Sequence, residues 1–238
     1  MTTAVYIVRP GPNEELRYSL RSVEANLPEI TDVVIVGHAE KWLRNVRVIP
    51  GNPHGRNKRR NVWANIYTAA TSPGLPGEIV LMNDDFMVME PARVAMAYRG
   101  TLADHIASVS EGWWRTSLEV TERWLVDTGH ATPLSYELHR PFPIDRERMA
   151  RVMDEAAKVS PANPPQWRTI YGNRWQVGGT PSHDGKVYGA TAPTPSGPWL
   201  STTEGQSFES VLPVLAERFP NPSRWEREIR TRPRGPRG

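Results

Sequence analysis

The chain has no cysteine, and that one absence removes disulfides, thiolate zinc sites, iron–sulfur clusters and thiol nucleophiles together. Such usage fits an intracellular protein. Long hydrophobic runs are missing too: nothing approaches the roughly 20 apolar residues that span a bilayer, and the opening Met1-Thr2-Thr3-Ala4-Val5-Tyr6-Ile7-Val8-Arg9-Pro10 has no basic region ahead of its short apolar stretch. These absences predict a soluble, cytoplasmic, globular protein without a membrane span. Several catalytic signatures are also lacking. There is no Gly-x-Gly-x-x-Gly, no phosphate loop ending in Gly-Lys-Ser/Thr, no Gly-x-Ser-x-Gly elbow and no His-Glu-x-x-His. The six histidines show no zinc-ligand spacing. Kinase-like, dehydrogenase, serine hydrolase and zinc hydrolase chemistries are therefore disfavoured.

What is present is enough chain, 238 residues, to bury a core without staples. The net charge of +3 is unevenly placed: residues 224–238 hold six arginines against two glutamates. The body is close to neutral, so basicity alone does not mark it as a nucleic-acid binder. That basic end reads either as a flexible solubilising tail or as a phosphate-binding arm.

The first half alternates strand and helix. Residues 4–8 and 33–37 are β-branched apolar runs, with Leu16, Leu20, Val23 and Leu27 at helical spacing between them. A short strand at 46–49 precedes a helix capped by Asn57, with Val62, Ile66 and Ala69 on one stripe. Glu78–Met82 then reads as a buried strand running into Asn83-Asp84-Asp85. This rhythm predicts an α/β fold with a mostly parallel sheet. The second half holds 15 of the 23 prolines beyond residue 130. Helices are expected there at about 115–127 and 146–159, and 160–206 reads as loops studded with Trp167, Trp175 and Trp199. Those tryptophans either wall a substrate site or only pack the loops. The expected layout is a single domain over 1–223, with halves at about 1–100 and 101–223, followed by the tail 224–238.

Two features carry chemistry. Asp84 and Asp85 sit at the carboxyl end of an apolar strand, where open α/β sheets bind ligands. Adjacent carboxylates repel unless a cation or hydrogen-bond donors offset them. Hard oxygen ligands suit Mg²⁺ or Mn²⁺ with positions left for diphosphate oxygens; the alternative is a solvated strand-to-turn junction. Arg56-Asn57-Lys58-Arg59-Arg60 places four cations at a helix start, where the dipole disfavours them and an anion would relieve the conflict. The plain alternative is a solvated basic face.

Glu15-Leu16-Arg17-Tyr18-Ser19-Leu20-Arg21-Ser22 followed by Leu81-Met82-Asn83-Asp84-Asp85 resembles a segment of the Stealth proteins, sugar-phosphate transferases of bacterial capsules and lysosomal enzymes. Tyr136-Glu137-Leu138-His139-Arg140-Pro141 resembles their histidine segment and that of small GT-A-like glycosyltransferases of bacteria and phages. The later elements Tyr171-Gly172-Asn173, Asp184-Gly185-Lys186 and Ser201-Thr202-Thr203-Glu204 are similar, in order, to those of the small enzymes. Where Stealth proteins open with a segment around Tyr-Thr-Trp-Val-Asp/Asn-Gly, this chain has Tyr6-Ile7-Val8-Arg9-Pro10-Gly11. That departure favours ordinary glycosyl transfer over phosphotransfer.

The resemblance implies a GT-A-like fold and a hexosyltransferase using a nucleotide sugar, a UDP-sugar first among them, with Mn²⁺ or Mg²⁺. It implies Asp85 as metal ligand and Asp84 as ligand to the metal or to the donor ribose or sugar. Arg9, Arg56, Lys58 and Asn83 become donor contacts, His139 a metal ligand or a contact to the departing phosphate, and Asp184 a base on the acceptor hydroxyl. The acceptor is left open among glycan, protein and modified DNA. A sugar-1-phosphate transferase and a non-catalytic nucleotide-sugar-binding protein are the alternatives.

Overall fold

A computed structural model describes residues 2–51, 56–160, 163–190, 197–203 and 205–227. In chain order its elements are β1 (Thr2–Val8), α1 (Glu14–Asn26), β2 (Ile30–Gly37), β3 (Arg47–Ile49), α2 (Lys58–Thr71), β4 (Glu78–Asn83), β5 (Phe86–Val88), β6 (Ala97–Tyr98), β7 (Gly100–Thr101), α3 (Leu102–Ser108), α4 (Trp113–Asp127), β8 (Leu134–Ser135), β9 (Phe142–Asp145), α5 (Arg146–Ala156), α6 (Trp167–Arg174), β10 (Thr180–Pro181), β11 (Trp199–Ser201) and α7 (Gln206–Arg218).

The central sheet has the order β3-β2-β1-β4-β9. The first four strands are parallel and β9 is antiparallel to β4. The expectation of a mixed α/β fold with a mostly parallel sheet therefore holds. Period-two alternation sorts the strand residues onto two apolar faces. Val5, Ile7, Val34, Val36, Ile79 and Leu81 face α2, α5 and α6, whereas Ala4, Tyr6, Val8, Val33, Ile35, Val80 and Met82 face α1 and the buried Trp225. Both layers exclude water from the sheet, which is why β1, β2 and β4 read as continuous apolar runs.

The chain leaves β1 toward β2 through α1 and reaches β4 through α2, so the strand order reverses between β1 and β4. That reversal opens a crevice at their carboxyl ends. Asn13 caps α1 there by accepting from the Leu16 amide at 3.0 Å. Hydroxyls of α1 hold the continuation of β4 in place: Ser19 Oγ donates to the Phe86 carbonyl and Ser22 Oγ accepts from the Val88 amide.

The stretch 160–206 holds the helix α6 among its loops, and α7 follows it and continues through Pro213. The expectation for the basic end needs correction. Residues 224–227 do not belong to a free tail: Trp225 and Glu226 are fully buried, and Glu226 accepts hydrogen bonds from Arg17, Arg21 and the Ser223 amide. Burial alone would raise the Glu226 carboxyl, but those donors outweigh it and hold it below the usual range. Arg17 and Arg21 thus strap the C-terminal segment to α1. The rest of the basic end, 228–238, lies outside the described residues, as do His54 and Glu204. Among the described residues no helix is long and apolar enough to cross a membrane.

Candidate active site

The crevice at the β1/β4 reversal gathers one acidic group. Ile7 on β1 is in register with Asn83 on β4, so the chain leaving each strand arrives at the same place. Asp84 Oδ2 accepts from Asn13 Nδ2 at 2.5 Å. Burial first, then the neighbouring Asp85 charge, push the Asp84 carboxyl up to about 7; Asn13 and Arg9 pull the other way. Glu15, in the first turn of α1, is also raised by burial and by Asp85, while its bond from Thr202 Oγ1 at 2.7 Å and the charges of Arg9 and Lys186 lower it. Asp85 has a built partner set. Its Oδ2 accepts from Lys186 Nζ at 2.8 Å and from Ser201 Oγ at 2.7 Å, and both Asp85 and Lys186 are largely buried.

Lys186 and Ser201 are brought to Asp85 by backbone pairing. β11 pairs antiparallel with β5 and sets Ser201 opposite Phe86. The 185–187 segment then lies against β11, the Ser201 amide donating to the Gly185 carbonyl and the Val187 amide to the Ser201 carbonyl. Gly185 is required for this approach, because a Cβ there would stand 2.1 Å from the Trp199 carbonyl oxygen.

The residue before that glycine anchors a second group. Asp184 clamps His139 through both carboxylate oxygens: Oδ1 accepts the His139 amide at 3.0 Å and Oδ2 faces ring Nδ1 at 2.7 Å. An ionised carboxylate only accepts, so Nδ1 carries the proton in this bond and Nε2 is left for chemistry. Burial alone would raise Asp184, but His139 and then Arg99 overcome it and hold the carboxyl below its ordinary range. Around the pair lie three further charges. Glu137 is buried and accepts from the Thr169 amide and hydroxyl. Arg168 Nη1 lies 3.7 Å from Glu137, and the charges of Asp85 and Asp184 both act on it. Arg140 donates to Ser182 Oγ and stacks over Trp199. Among the described residues the Nε atoms of Arg140 and Arg168 are buried without a hydrogen-bond partner.

The sequence-predicted residues thus divide. Arg9, Asn83, Asp84 and Asp85 share the crevice. His139 and Asp184 meet, but as a hydrogen-bonded pair. Among the described residues no three His, Asp or Glu side chains converge where they could hold a metal. Asp184 has both oxygens committed to His139 and a carboxyl held below its ordinary range, which leaves it poorly suited to take a proton. Arg56 and Lys58 are exposed at the start of α2, while the cationic charge felt by the acidic group comes from Arg9 and Lys186. Tyr171-Gly172-Asn173 is structural: it lies in α6, with Gly172 against the Tyr136 ring and Asn173 bridging both backbone groups of Leu134. Sequence reading gave no role to Asn13, Glu15, Lys186, Ser201, Thr202, Arg140 or Arg168. The signal for Lys186, Ser201 and Thr202 was their place in short ordered elements.

No protein-family model matches the chain, and no curated protein matches it. Among solved structures, the galactosyltransferase LgtC in complex with donor and acceptor sugar analogues is similar over 76% of this chain and 72% of that chain, with 12% identity and a TM-score of 0.47. An active-site mutant of LgtC is similar over the same shares, with 13% identity and a TM-score of 0.45.

Proposed function

We propose that the chain is a glycosyltransferase of GT-A-like architecture, moving a hexose from a nucleotide sugar, a UDP-sugar first among candidates, to an acceptor hydroxyl. One observation carries the reading: the Asp84–Asp85 pair at the strand-order reversal and the His139–Asp184 pair are tied together through one three-residue element, Asp184-Gly185-Lys186. An acidic, cation-lined crevice for a donor therefore adjoins an oriented imidazole.

Two adjacent carboxylates, one of them desolvated, fit a divalent cation whose remaining positions are filled by diphosphate oxygens. Asp84 and the Asp85 oxygen not engaged by Lys186 would hold Mn²⁺ or Mg²⁺, which when bound supplies positive charge to the leaving nucleoside diphosphate. The protein's own groups do the rest. Arg9 and Lys186 add fixed positive charge near the diphosphate, in a crevice where low dielectric strengthens it. His139 Nε2 accepts the acceptor hydroxyl proton while Asp184 holds the ring through Nδ1–H and stabilises the imidazolium that forms.

The test is release of nucleoside diphosphate from a panel of UDP-, GDP-, CMP- and dTDP-sugars with and without Mn²⁺, for wild type and Asp85→Ala. Turnover confined to one donor, requiring the metal and absent from Asp85→Ala, is the expected result. Turnover retained in the variant sinks the assignment of Asp85. Phosphorus retained in the product by mass spectrometry would move the reading to sugar-phosphate transfer, and tight nucleotide binding without any turnover to a binding protein.

A further inference from the structure

Between α2 and α5 lies a cavity of about 350 Å³ that none of the crevice residues lines. Its wall is aromatic and apolar. Trp63 and Tyr67, four apart on one face of α2, are half-buried with one side against the core, and Met153 closes the far side. Its rim is charged, with Arg60 and Asp154 both exposed, and the Asp154 carboxylate, together with burial, raises the Tyr67 phenol above its ordinary range. Pro164 forms one end, and the 163–164 segment is bonded to α4. Ser117 Oγ donates to the Pro164 carbonyl, and the neighbouring Asn163 to the Trp113 carbonyl. Trp113 is 53% exposed, and Arg59 from α2 lies over its ring at 3.8 Å. An indole this exposed is a large apolar surface given to solvent, with an arginine over its ring.

We propose that this cavity is a subsite for a neutral glycan. A pyranose has an apolar face of C–H groups and an edge of hydroxyls that both donate and accept. Trp63 and Tyr67 offer the flat π surface for the first, and Asp154 and Arg60 an acceptor and a donor fork for the second. The charges of the rim cancel, which suits an uncharged, hydroxyl-rich ligand. A phosphate would meet Asp154, and a purely apolar ligand would desolvate both rim charges without pairing them. As a place where the acceptor is anchored this subsite rests on the glycosyl-transfer reading and names the acceptor class as glycan. As a binding site it is independent of turnover.

The experiment is saturation-transfer NMR on the full chain with maltotriose and lactose, with uridine as a non-sugar control, for wild type, Asp154→Ala and Arg60→Ala. Both substitutions are at exposed positions and leave the core intact; Trp63→Leu adds a third variant, with its fold checked by thermal melting. Transfer to sugar C–H protons in wild type, with apparent Kd at least tenfold weaker in both exposed-site variants and UDP binding unchanged, is the expected result. Absence of transfer to both oligosaccharides, equal binding by wild type and both variants, or transfer to uridine alone overturns the proposal. Sugar binding that persists in a protein releasing no nucleoside diphosphate from any donor would remove the transferase reading and leave the subsite standing.

Discussion

Replacing Asp184 by Asn separates the two roles that an Asp–His pair plays. The amide keeps the shape and one acceptor, so the His139 backbone N–H bond at 3.0 Å survives. What is lost is the negative charge 2.7 Å from Nδ1. A hydrogen bond to a charged group contributes about 1.5–3 kcal/mol. If the pair stabilises the imidazolium only as the proton is transferred, that range converts at about 1.4 kcal/mol per tenfold into a kcat lowered roughly 10- to 150-fold. Removing the imidazole outright, as in His139→Gln, costs the general-base contribution of about 10²–10⁴. Because Asp184 is placed as a positioning residue, the donor KM should stay within about twofold while kcat falls, with Asp184→Glu recovering part of the loss. The substitution also loosens the fold, because the side chain is only 14% exposed. About 2 kcal/mol of lost stability would lower Tm by roughly 4–8 °C. The assay is steady-state release of nucleoside diphosphate at saturating acceptor, with thermal melting in parallel. A kcat for Asp184→Asn within threefold of wild type, at unchanged Tm, would refute the reasoning, since neither the charge nor the buried bond would then matter.

Gly185→Ala should destabilise the fold by about 1–3 kcal/mol, because its Cβ would lie 2.1 Å from a backbone oxygen of β11. It should also reduce donor turnover at least tenfold by shifting Asp184 and Lys186 together. Gly77→Ala, with nothing within 4 Å of the added methyl, is the matched control and should change neither quantity; equal behaviour of the two variants in urea melts and turnover would dispose of the argument. Glu226→Ala leaves Arg17 and Arg21 of α1 largely buried without their shared carboxylate and should cost about 3–5 kcal/mol in urea denaturation. A loss below 1 kcal/mol would mean that the C-terminal segment is not held by these bonds. His105, bonded to Ser135, is lowered to about 4 by burial and then by the Arg99 charge, with Asp184 opposing and His139 adding to the fall. Its neutral form is favoured by the fold, so its contribution is complete above pH 6.5 and is lost as pH falls toward 4, up to about 3 kcal/mol. Asp84, raised to about 7, acts with the opposite sign between about pH 4 and 7. The readout is therefore the difference in stability between wild type and His105→Asn across that range, and a flat difference would contradict it.

How much of this was legible depended on the range over which each signal acts. β1, β2, β4 and α1 announce themselves because burial on both sheet faces demands apolar residues at nearly every strand position and at helical spacing between them. In α6 and α7 tertiary packing overrides composition. Prolines at 164 and 165 and the glycine within Trp167–Arg174 argue against a helix locally, yet the ring of Tyr136 packs on Gly172, and Trp167 and Tyr171 edge onto Phe142. Asp84 and Asp85 were visible because a charged pair ending an apolar strand is a local anomaly. Their partners were not, since Lys186 and Ser201 follow Asp85 by 101 and 116 residues, and no periodicity links positions so far apart. Arg56 and Lys58, the local charge run that suggested an anion site, are exposed at the start of α2.

The same contrast bears on how the crevice works. Two carboxylates at a strand-order reversal generate a demand for positive charge, and the fold answers it from a distance, with Lys186 carried in on a segment that must pass within van der Waals contact of β11 at Gly185. Asp184, on the other side of that glycine, fixes His139. A single backbone approach therefore sets both the place of Lys186 beside Asp85 and the orientation of the His139 ring, and neither can be adjusted without the other. For this reason a substitution at Gly185, which touches no substrate, should lower donor binding and proton transfer together, whereas Asp184→Asn should lower only the second. Measuring donor affinity alongside kcat in the two variants separates a crevice built as one unit from two sites that happen to be neighbours. If Gly185→Ala left donor affinity unchanged while kcat fell, Lys186 would be acting independently of the segment that delivers it.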